Sequence, residues 1–160
     1  MDEKDFKKLI KKNKEYQVLV FGSKILKPSP ILHTWLVTIN KGKVIRWEFG
    51  RFLIKNDEVK IAVFKNLTKP WVGVFYRSGV NFLSRKNPHS KLIGEIDGNK
   101  GSIAHKMIRF IEKDASLFSQ VNNFKKLGPN CNTFVQWVLK KFPESKLKLP
   151  FGAIGRNCEV

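Results

Sequence analysis

The stretch ILHTWLVTINKGKVIRWEFG, residues 31–50, constrains the fold more than any other part of the chain. Its first half alternates with a period of two, so that His33, Trp35 and Val37 share one face of an extended strand. The letters NKGK, residues 40–43, are typical of a tight turn, and VIRWEFG then returns as a second strand. The stretch therefore predicts a β-hairpin that carries His33 in the middle of its first strand.

Further strand signals surround this hairpin, and two amphipathic helices follow them. The strand candidates are YQVLVFGS, ILHTWLVTI, VIRWEFGRF, EVKIAVF and WVGVFYRSGV. The polar, glycine- and proline-rich SRKNPHSKLIGEIDGNKG is typical of a loop with at most a short strand. Apolar spacing predicts one helix in SIAHKMIRFIEKDASLF, capped by Ser102, and another from about Asn130, ended by Pro143. Strands followed by helices predict an α+β fold with an antiparallel sheet of about five strands.

The length of 160 residues is that of a single domain, 1–160, and no linker divides it. We divide it into a basic N-terminal helix (1–15), a strand-rich half with His33 (16–80), and a helical half and tail with Cys131 (100–157). The apolar side of the N-terminal helix consists of Phe6, Leu9 and Ile10.

The charge of the chain is its most extreme bulk property. It has 31 Lys and Arg against 13 Asp and Glu, a formal net charge of +18. Such a field attracts nucleic acid, an anionic membrane or an acidic protein partner, although a lysine-rich solvated surface has the same composition. The lysines are spread along the chain, and no nucleic-acid-binding motif accompanies them.

The two cysteines, Cys131 and Cys158, are too few for a disulfide framework, and a bridge between them stays an open alternative to free thiols. Free thiols fit a reducing compartment better. No apolar stretch has the length of a secretory signal or a membrane span. We therefore expect a cytoplasmic protein, or one secreted without a cleaved signal peptide, with neither a cofactor nor a metal.

Cys131 lies in GPNCNTF, at the predicted start of a helix that Asn130 or Asn132 could cap. The free amides of a first helical turn stabilise a thiolate, and the amide of the nucleophile itself can hold an oxyanion. A lone cysteine is more often a small buried apolar residue. The position therefore makes Cys131 a candidate nucleophile that needs a base.

Three histidines could supply that base. His89 lies in a loop beside a proline, and His105 lies off the apolar stripe of its helix, where it is expected to face solvent. His33 is held on a strand among apolar neighbours, which would position and desolvate it. A strand histidine is more often a hydrogen-bonded core residue, so His33 is a candidate base only in combination with Cys131.

These motifs resemble known families. The pair NCNTF and ILHTWLVTINKGKVIRWEFG resembles the permuted papain-fold peptidases of the PPPDE group, which include the desumoylating isopeptidases, and the order His first, Cys later is the circularly permuted one. Lecithin:retinol-acyltransferase-like proteins share that order. HTW, GPNCNTF and LPFGAIG together also resemble an uncharacterised bacterial domain family over roughly residues 30–157, although serine commonly stands there in place of Cys131.

The resemblance implies a circularly permuted papain-like fold of the NlpC/P60 type, with the sheet packed against the Cys-bearing helix and a second amphipathic helix. It implies a thiol hydrolase in which a dyad of Cys131 and His33 acts on a peptide, isopeptide or related acyl bond. The alternatives are an acyltransferase or thioesterase with lipid-like substrates, or a non-catalytic basic module that binds nucleic acid or anionic membrane. The expected partner of the enzyme is a protein or acyl substrate, with acidic surfaces favoured.

Three further groups are candidate accessory residues. Glu48 could orient His33 from the paired strand, but strand alternation places it with Arg46 and favours a solvated hairpin glutamate. Asn130 and Asn132 flank the nucleophile. Trp35 shares the face of His33 and is a candidate wall of the site, although core packing is its commoner role. The tail segment LPFGAIG is expected to fold back near the dyad or simply to close the sheet.

Overall fold

The structure is a computed structural model that describes residues 1–25, 30–53, 58–77, 80–83 and 90–159. Three α-helices and seven strands are present in these ranges. The helices are α1 (Glu3–Leu9), α2 (Ile103–Asp114) and α3 (Cys131–Lys141). The strands are β1 (Tyr16–Lys24), β2 (Leu32–Asn40), β3 (Lys43–Leu53), β4 (Val59–Lys65), β5 (Val74–Arg77), β6 (Val80–Leu83) and β7 (Ser90–Gly98). Short 3-10 turns follow α2 and α3.

Five of the strands form an antiparallel sheet in the order β7-β1-β2-β3-β4. The predicted hairpin is its centre: β2 pairs with β3 from Asn40↔Lys43 to Leu36↔Trp47. Lys41 and Gly42 connect them with φ of 48° and 83°, values that a two-residue type I′ turn requires. The expectation of an α+β fold with an antiparallel sheet of about five strands is therefore confirmed.

Two parts of the strand pattern differ from the prediction. WVGVFYRSGV is predicted as one strand, but β5 and β6 are two short strands that pair with each other and meet the main sheet at one parallel bridge, Phe52↔Asn81. The predicted loop after residue 83 contains β7, a nine-residue strand that pairs with β1. The acidic residues Glu95 and Asp97 make this strand resemble a polar loop in the sequence. Lys11 Nζ lies 2.9 Å from Glu95 and also contacts Asp97, so these charges are paired across the fold.

The sheet is covered on both faces, so its central strands are buried on both sides. On one face, α2 and α3 pack against a core that contains Leu36, Trp47 and Phe49. On the other, Phe6 of α1 packs against a second core that contains Phe21 and Trp35. Burying each of these large side chains contributes roughly 1.5–3 kcal/mol. Leu36 and Trp35 therefore stabilise different layers, as the period-two alternation predicts.

The helix ends follow their capping chemistry. Asp2 caps α1 and Ser102 caps α2, the latter as predicted. The N-terminal helix is shorter than the predicted 1–15, because the side chain of Gln17 bonds the backbone at Leu9 and Lys11 and draws the chain into an extended path. α3 begins at Cys131 and ends at Lys141, two residues before Pro143.

None of the helices in the described ranges has both the length and the apolar composition needed to cross a membrane.

Candidate active site

The turn before α3 delivers Cys131 to the first helical position. Gly128 has a φ of 114° and lies against the tail: a Cβ there would come within 2.4 Å of Cys158 Sγ and 2.8 Å of Gly155 Cα. Only glycine adopts this conformation freely and leaves this space empty. The GP pair before Asn130 thus fixes where the helix begins and how closely the tail approaches it.

Asn130 caps α3 and ties it to the tail. Its Oδ1 accepts the amides of Asn132 and Thr133, while its Nδ2 donates to the carbonyls of Lys126 and Ile154, each at 3.1 Å. Thr133 completes the capping box and reaches the Gly155 carbonyl at 2.7 Å. The segment LPFGAIG therefore folds back onto the start of the Cys-bearing helix.

Asn132 fastens the same helix end to the strand on both sides of His33. Its Oδ1 accepts hydrogen bonds from the amide and the hydroxyl of Thr34, at 3.1 and 2.8 Å. Its Nδ2 donates to the carbonyls of Leu32, at 2.9 Å, and Ile154, at 2.7 Å. Because Asn132 is adjacent to Cys131, these bonds set the thiol against the strand that carries His33.

His33 belongs to a buried ionic network. Its Nε2 lies 3.1 Å from Glu48 Oε2, and the same oxygen accepts Arg46 Nη2 at 2.9 Å. None of these three side chains is exposed to solvent. The Arg46 guanidinium also lies 4.1 Å from the centre of the Trp35 ring. The interpretation of Glu48 as a solvated hairpin glutamate is wrong, because both faces of β3 are covered.

The loop after β4 anchors Arg46. The Nη1 of Arg46 donates to the carbonyls of Lys69 and Val72 in this loop. Trp35 Nε1 donates to the Pro70 carbonyl of the same loop at 2.9 Å. Trp35 is therefore a core residue rather than a wall of the cleft. Arg46 is the member of the network that sequence reasoning missed, although its position two residues before Glu48 on the same strand was the available signal.

The charges of the network are coupled. Burial acts to raise the pKa of Glu48, but Arg46 and His33 outweigh it and hold that pKa below its usual value. For His33 burial is again the largest influence and opposes protonation. The neighbouring Cys131 and Glu48 together overcome it and raise the pKa of His33 to about 9. Burial lowers the pKa of Arg46.

The orientation of the His33 ring follows from these charges. An ionised Glu48 only accepts hydrogen bonds, so Nε2 carries the proton in that bond and Nδ1 is the nitrogen available to Cys131. Within the described part of the chain, Nδ1 has no hydrogen-bond partner of normal geometry. The Cys131 thiol interacts with the ring, but its Sγ is directed at Asn132 Oδ1, 3.6 Å away.

Cys131 lies at the end of a small cavity of about 270 Å³ that His33, Asn130 and Asn132 also line. The thiol residue is 5% exposed. The remaining wall is mostly apolar, with Ile25, Ile31, Phe124, Leu127 and Ile154. Lys126 is the one Lys, Arg, Asp or Glu among the described lining residues. In the described ranges, no three His, Cys, Asp or Glu residues cluster in a way that could hold a metal ion.

The other candidates lie away from this cavity. His105 is half-buried rather than solvent-facing, with its ring against Tyr16 and its Nδ1 accepting the Gly101 amide. His89 lies outside the described residues. Cys158 is a free thiol beside Leu127, as Cys131 is free, so this structure contains no bridge between the two cysteines.

Comparison with known proteins adds the family. No curated protein and no solved structure matches the chain significantly. One family model matches residues 15–158, which include both strands of the hairpin, the Cys-bearing helix and the tail that packs against it. The chain therefore belongs to the family described as Protein of unknown function (DUF3750).

Proposed function

We propose that the protein is a thiol hydrolase in which Cys131 is the nucleophile, His33 the base and Glu48 the residue that orients His33. The single observation that carries this proposal is the buried His33–Glu48 pair, whose free Nδ1 is left beside a cysteine at a helix start. A structural histidine uses both ring nitrogens or is exposed to water, and neither is true of His33.

In the proposed reaction, the site rests as an ion pair in which Nδ1 of His33 already holds the proton of the Cys131 thiol, and Glu48 stabilises this imidazolium. The thiolate attacks the acyl carbonyl, the S–C bond forms, and the carbonyl electron pair moves onto oxygen. The amide of Cys131 can hold that oxyanion, since Asn130 caps the next two amides but not this one.

The tetrahedral intermediate then collapses, and the bond to the leaving group breaks as His33 Nδ1 returns its proton to that group. The product is a thioester on Cys131. A water molecule, deprotonated by His33, attacks this thioester and releases the carboxylic acid and the free thiol. The bond is a peptide, isopeptide or related acyl bond. Transfer to an acceptor other than water would make the same site an acyltransferase.

The fold we propose is a circularly permuted papain-like one. Three features support it: a base on a central strand, a nucleophile on a later helix, and a sheet against which that helix packs. The order His33 before Cys131 is the permuted order. The network of Asn130, Asn132 and Thr133 supports the same assignment, because it ties the helix start directly to the strand that carries the base.

Alkylation with iodoacetamide across pH, with mass mapping of the adduct, tests the proposal. We expect selective modification of Cys131 below pH 7, and its loss in a His33→Ala variant, because the imidazolium stabilises the thiolate. Cys158 is the internal reference in the same molecule. Equal, slow labelling of both cysteines with ordinary thiol pH dependence would contradict the proposal.

A further inference from the structure

Apart from Cys131 and His33, the polar side chains that line the cavity next to the thiol are already used by the protein. All of the side-chain atoms of Asn130 and Asn132 that could bind a substrate are engaged with backbone groups. The backbone of the wall is also occupied. The Ile31 carbonyl accepts a hydrogen bond from the Ile25 amide, and the Leu32 amide donates to the Gly152 carbonyl. The Ile154 carbonyl accepts hydrogen bonds from the side-chain amides of two asparagines, Asn130 and Asn132.

A peptide in a protease cleft is held mainly by hydrogen bonds between its backbone and the protein, as an added strand. The Leu32 edge of β2 would be the natural place for such a strand. That edge is taken by the tail, because the Gly152 carbonyl accepts the Leu32 amide at 2.9 Å and Asn132 bonds the Leu32 carbonyl. The described wall thus has little with which to recognise a peptide backbone.

The apolar surface continues from the cavity to its mouth. Leu127 is 75% exposed and Ile31 is 36% exposed, and both line the cavity. Exposed apolar side chains that gather at a single cavity usually mark a binding site. Their position at the entrance to Cys131 assigns that site to the substrate of the thiol.

We propose that the acyl group attacked by Cys131 is an unbranched aliphatic chain of medium length, bound in this cavity. This inference rests on the proposed function. The volume of about 270 Å³ corresponds to roughly nine water molecules, at about 30 Å³ each, and it is smaller than a site for a drug-sized ligand. The substrate class is therefore an aliphatic thioester or ester. Its thiol or alcohol leaves with the proton from His33, and water then releases the carboxylic acid from Cys131.

The test is a series of acyl thioesters from acetyl through butyryl and octanoyl to palmitoyl. We expect kcat/KM to rise by at least roughly tenfold from acetyl to octanoyl, the effect of added apolar contact in a fitted pocket, and to fall for palmitoyl. Leu127→Glu places a charge in the cavity wall and should remove the octanoyl preference, so that kcat/KM no longer rises from acetyl to octanoyl. Leu117→Glu is the matched control, since Leu117 is 70% exposed and does not line the cavity.

A binding measurement separates this inference from the hydrolase proposal. Octanoate is titrated calorimetrically against a Cys131→Ala variant and against Cys131→Ala with Leu127→Glu; only the first should bind it. A reactive Cys131 with equal kcat/KM for all chain lengths would overturn the inference and leave the hydrolase standing. Octanoate binding by a protein whose Cys131 is not selectively reactive would overturn the hydrolase, and this inference with it.

Discussion

At the scale of single residues, the site depends on how the charge of the buried Glu48 is paired. A carboxylate without exposure is stable only when its charge is paired. Here one oxygen, Oε2, binds both Arg46 and His33. Arg46 supplies the constant positive charge, so that Glu48 stays ionised whether or not His33 is protonated. In the proposed site the arginine is therefore a positioning residue for His33, and it is not among the residues that line the cavity.

This pairing predicts different results for a single and a double substitution. Glu48→Gln leaves Arg46 buried without its counter-charge and should lower the free energy of unfolding by about 3–5 kcal/mol. Arg46→Met combined with Glu48→Gln removes both charges and should recover much of that loss. Chemical denaturation of the three proteins measures both effects.

Selective alkylation of Cys131 should stay low in the recovered double variant, because His33 then lacks the carboxylate that orients it. This second readout distinguishes an orienting role from a merely structural one. Full Cys131 reactivity in a stable double variant would exclude Glu48 from the site.

The candidate site could be predicted from sequence only in part at this scale. The pairing of Cys131 with His33 followed from motif order. The burial of Glu48 did not, since strand alternation shows which residues share a face but not what covers that face. Here the loop that bonds Arg46 covers it, and that contact joins residues more than twenty positions apart.

At the scale of elements, the start of α3 is held by two asparagine side chains, and only one of them is a helix cap. Asn130 and Asn132 are both asparagines of one motif, yet they have different functions. Asn130 caps its own helix, as expected of such a residue. Asn132 instead connects the helix to Thr34 and Leu32 of the strand. The distance between Cys131 and His33 therefore depends on Asn132.

Asn132→Ala should lower the free energy of unfolding by at least about 2 kcal/mol, since buried backbone groups at Leu32 and Thr34 lose their partners. It should also reduce the selective alkylation of Cys131. Asn123→Ala is the matched control: Asn123 is exposed, and its side-chain amide donates to Gln120, three positions earlier. Thermal or chemical unfolding and mapped alkylation measure both quantities. Unchanged stability and reactivity in Asn132→Ala would show that this contact does not position the thiol.

Elements with local signals were predictable, and elements defined by distant partners were not. The hairpin turn at Lys41 and Gly42 and the cap at Ser102 are encoded within a few residues. β7 resembles a loop because it contains glycines and acidic residues. Its strand conformation depends on pairing with β1, whose residues lie far earlier in the chain (Ser23 pairs with Ser90 and Tyr16 with Gly98), and on Lys11 as the counter-ion.

At the scale of the whole molecule, the net charge of +18 is separate from the site. The buried network is paired within itself, because Arg46 and His33 both contact Glu48. The excess charge therefore acts at the surface, on whatever anion approaches. An acidic substrate or carrier would be attracted by the same field, while a neutral acyl chain would be recognised only in the cavity.

Binding of short duplex and single-stranded nucleic acids should be weak, should not depend on their sequence, and should vanish by about 0.2 M salt, as expected for counter-ion release alone. Fluorescence anisotropy over a salt series measures this. Tight, sequence-selective binding that survives this salt concentration would instead favour the non-catalytic basic module.

The central claim is that Cys131, His33 and Glu48 form one charge-coupled site, and the titration of His33 tests it most directly. Nitrogen-15 NMR of the imidazole should show His33 protonated at neutral pH, losing its charge only near pH 9, since Cys131 and Glu48 raise its pKa to about 9. In Cys131→Ala that pKa should fall, because the thiolate is gone. A His33 that is neutral at pH 7 and titrates identically in both proteins would contradict the account.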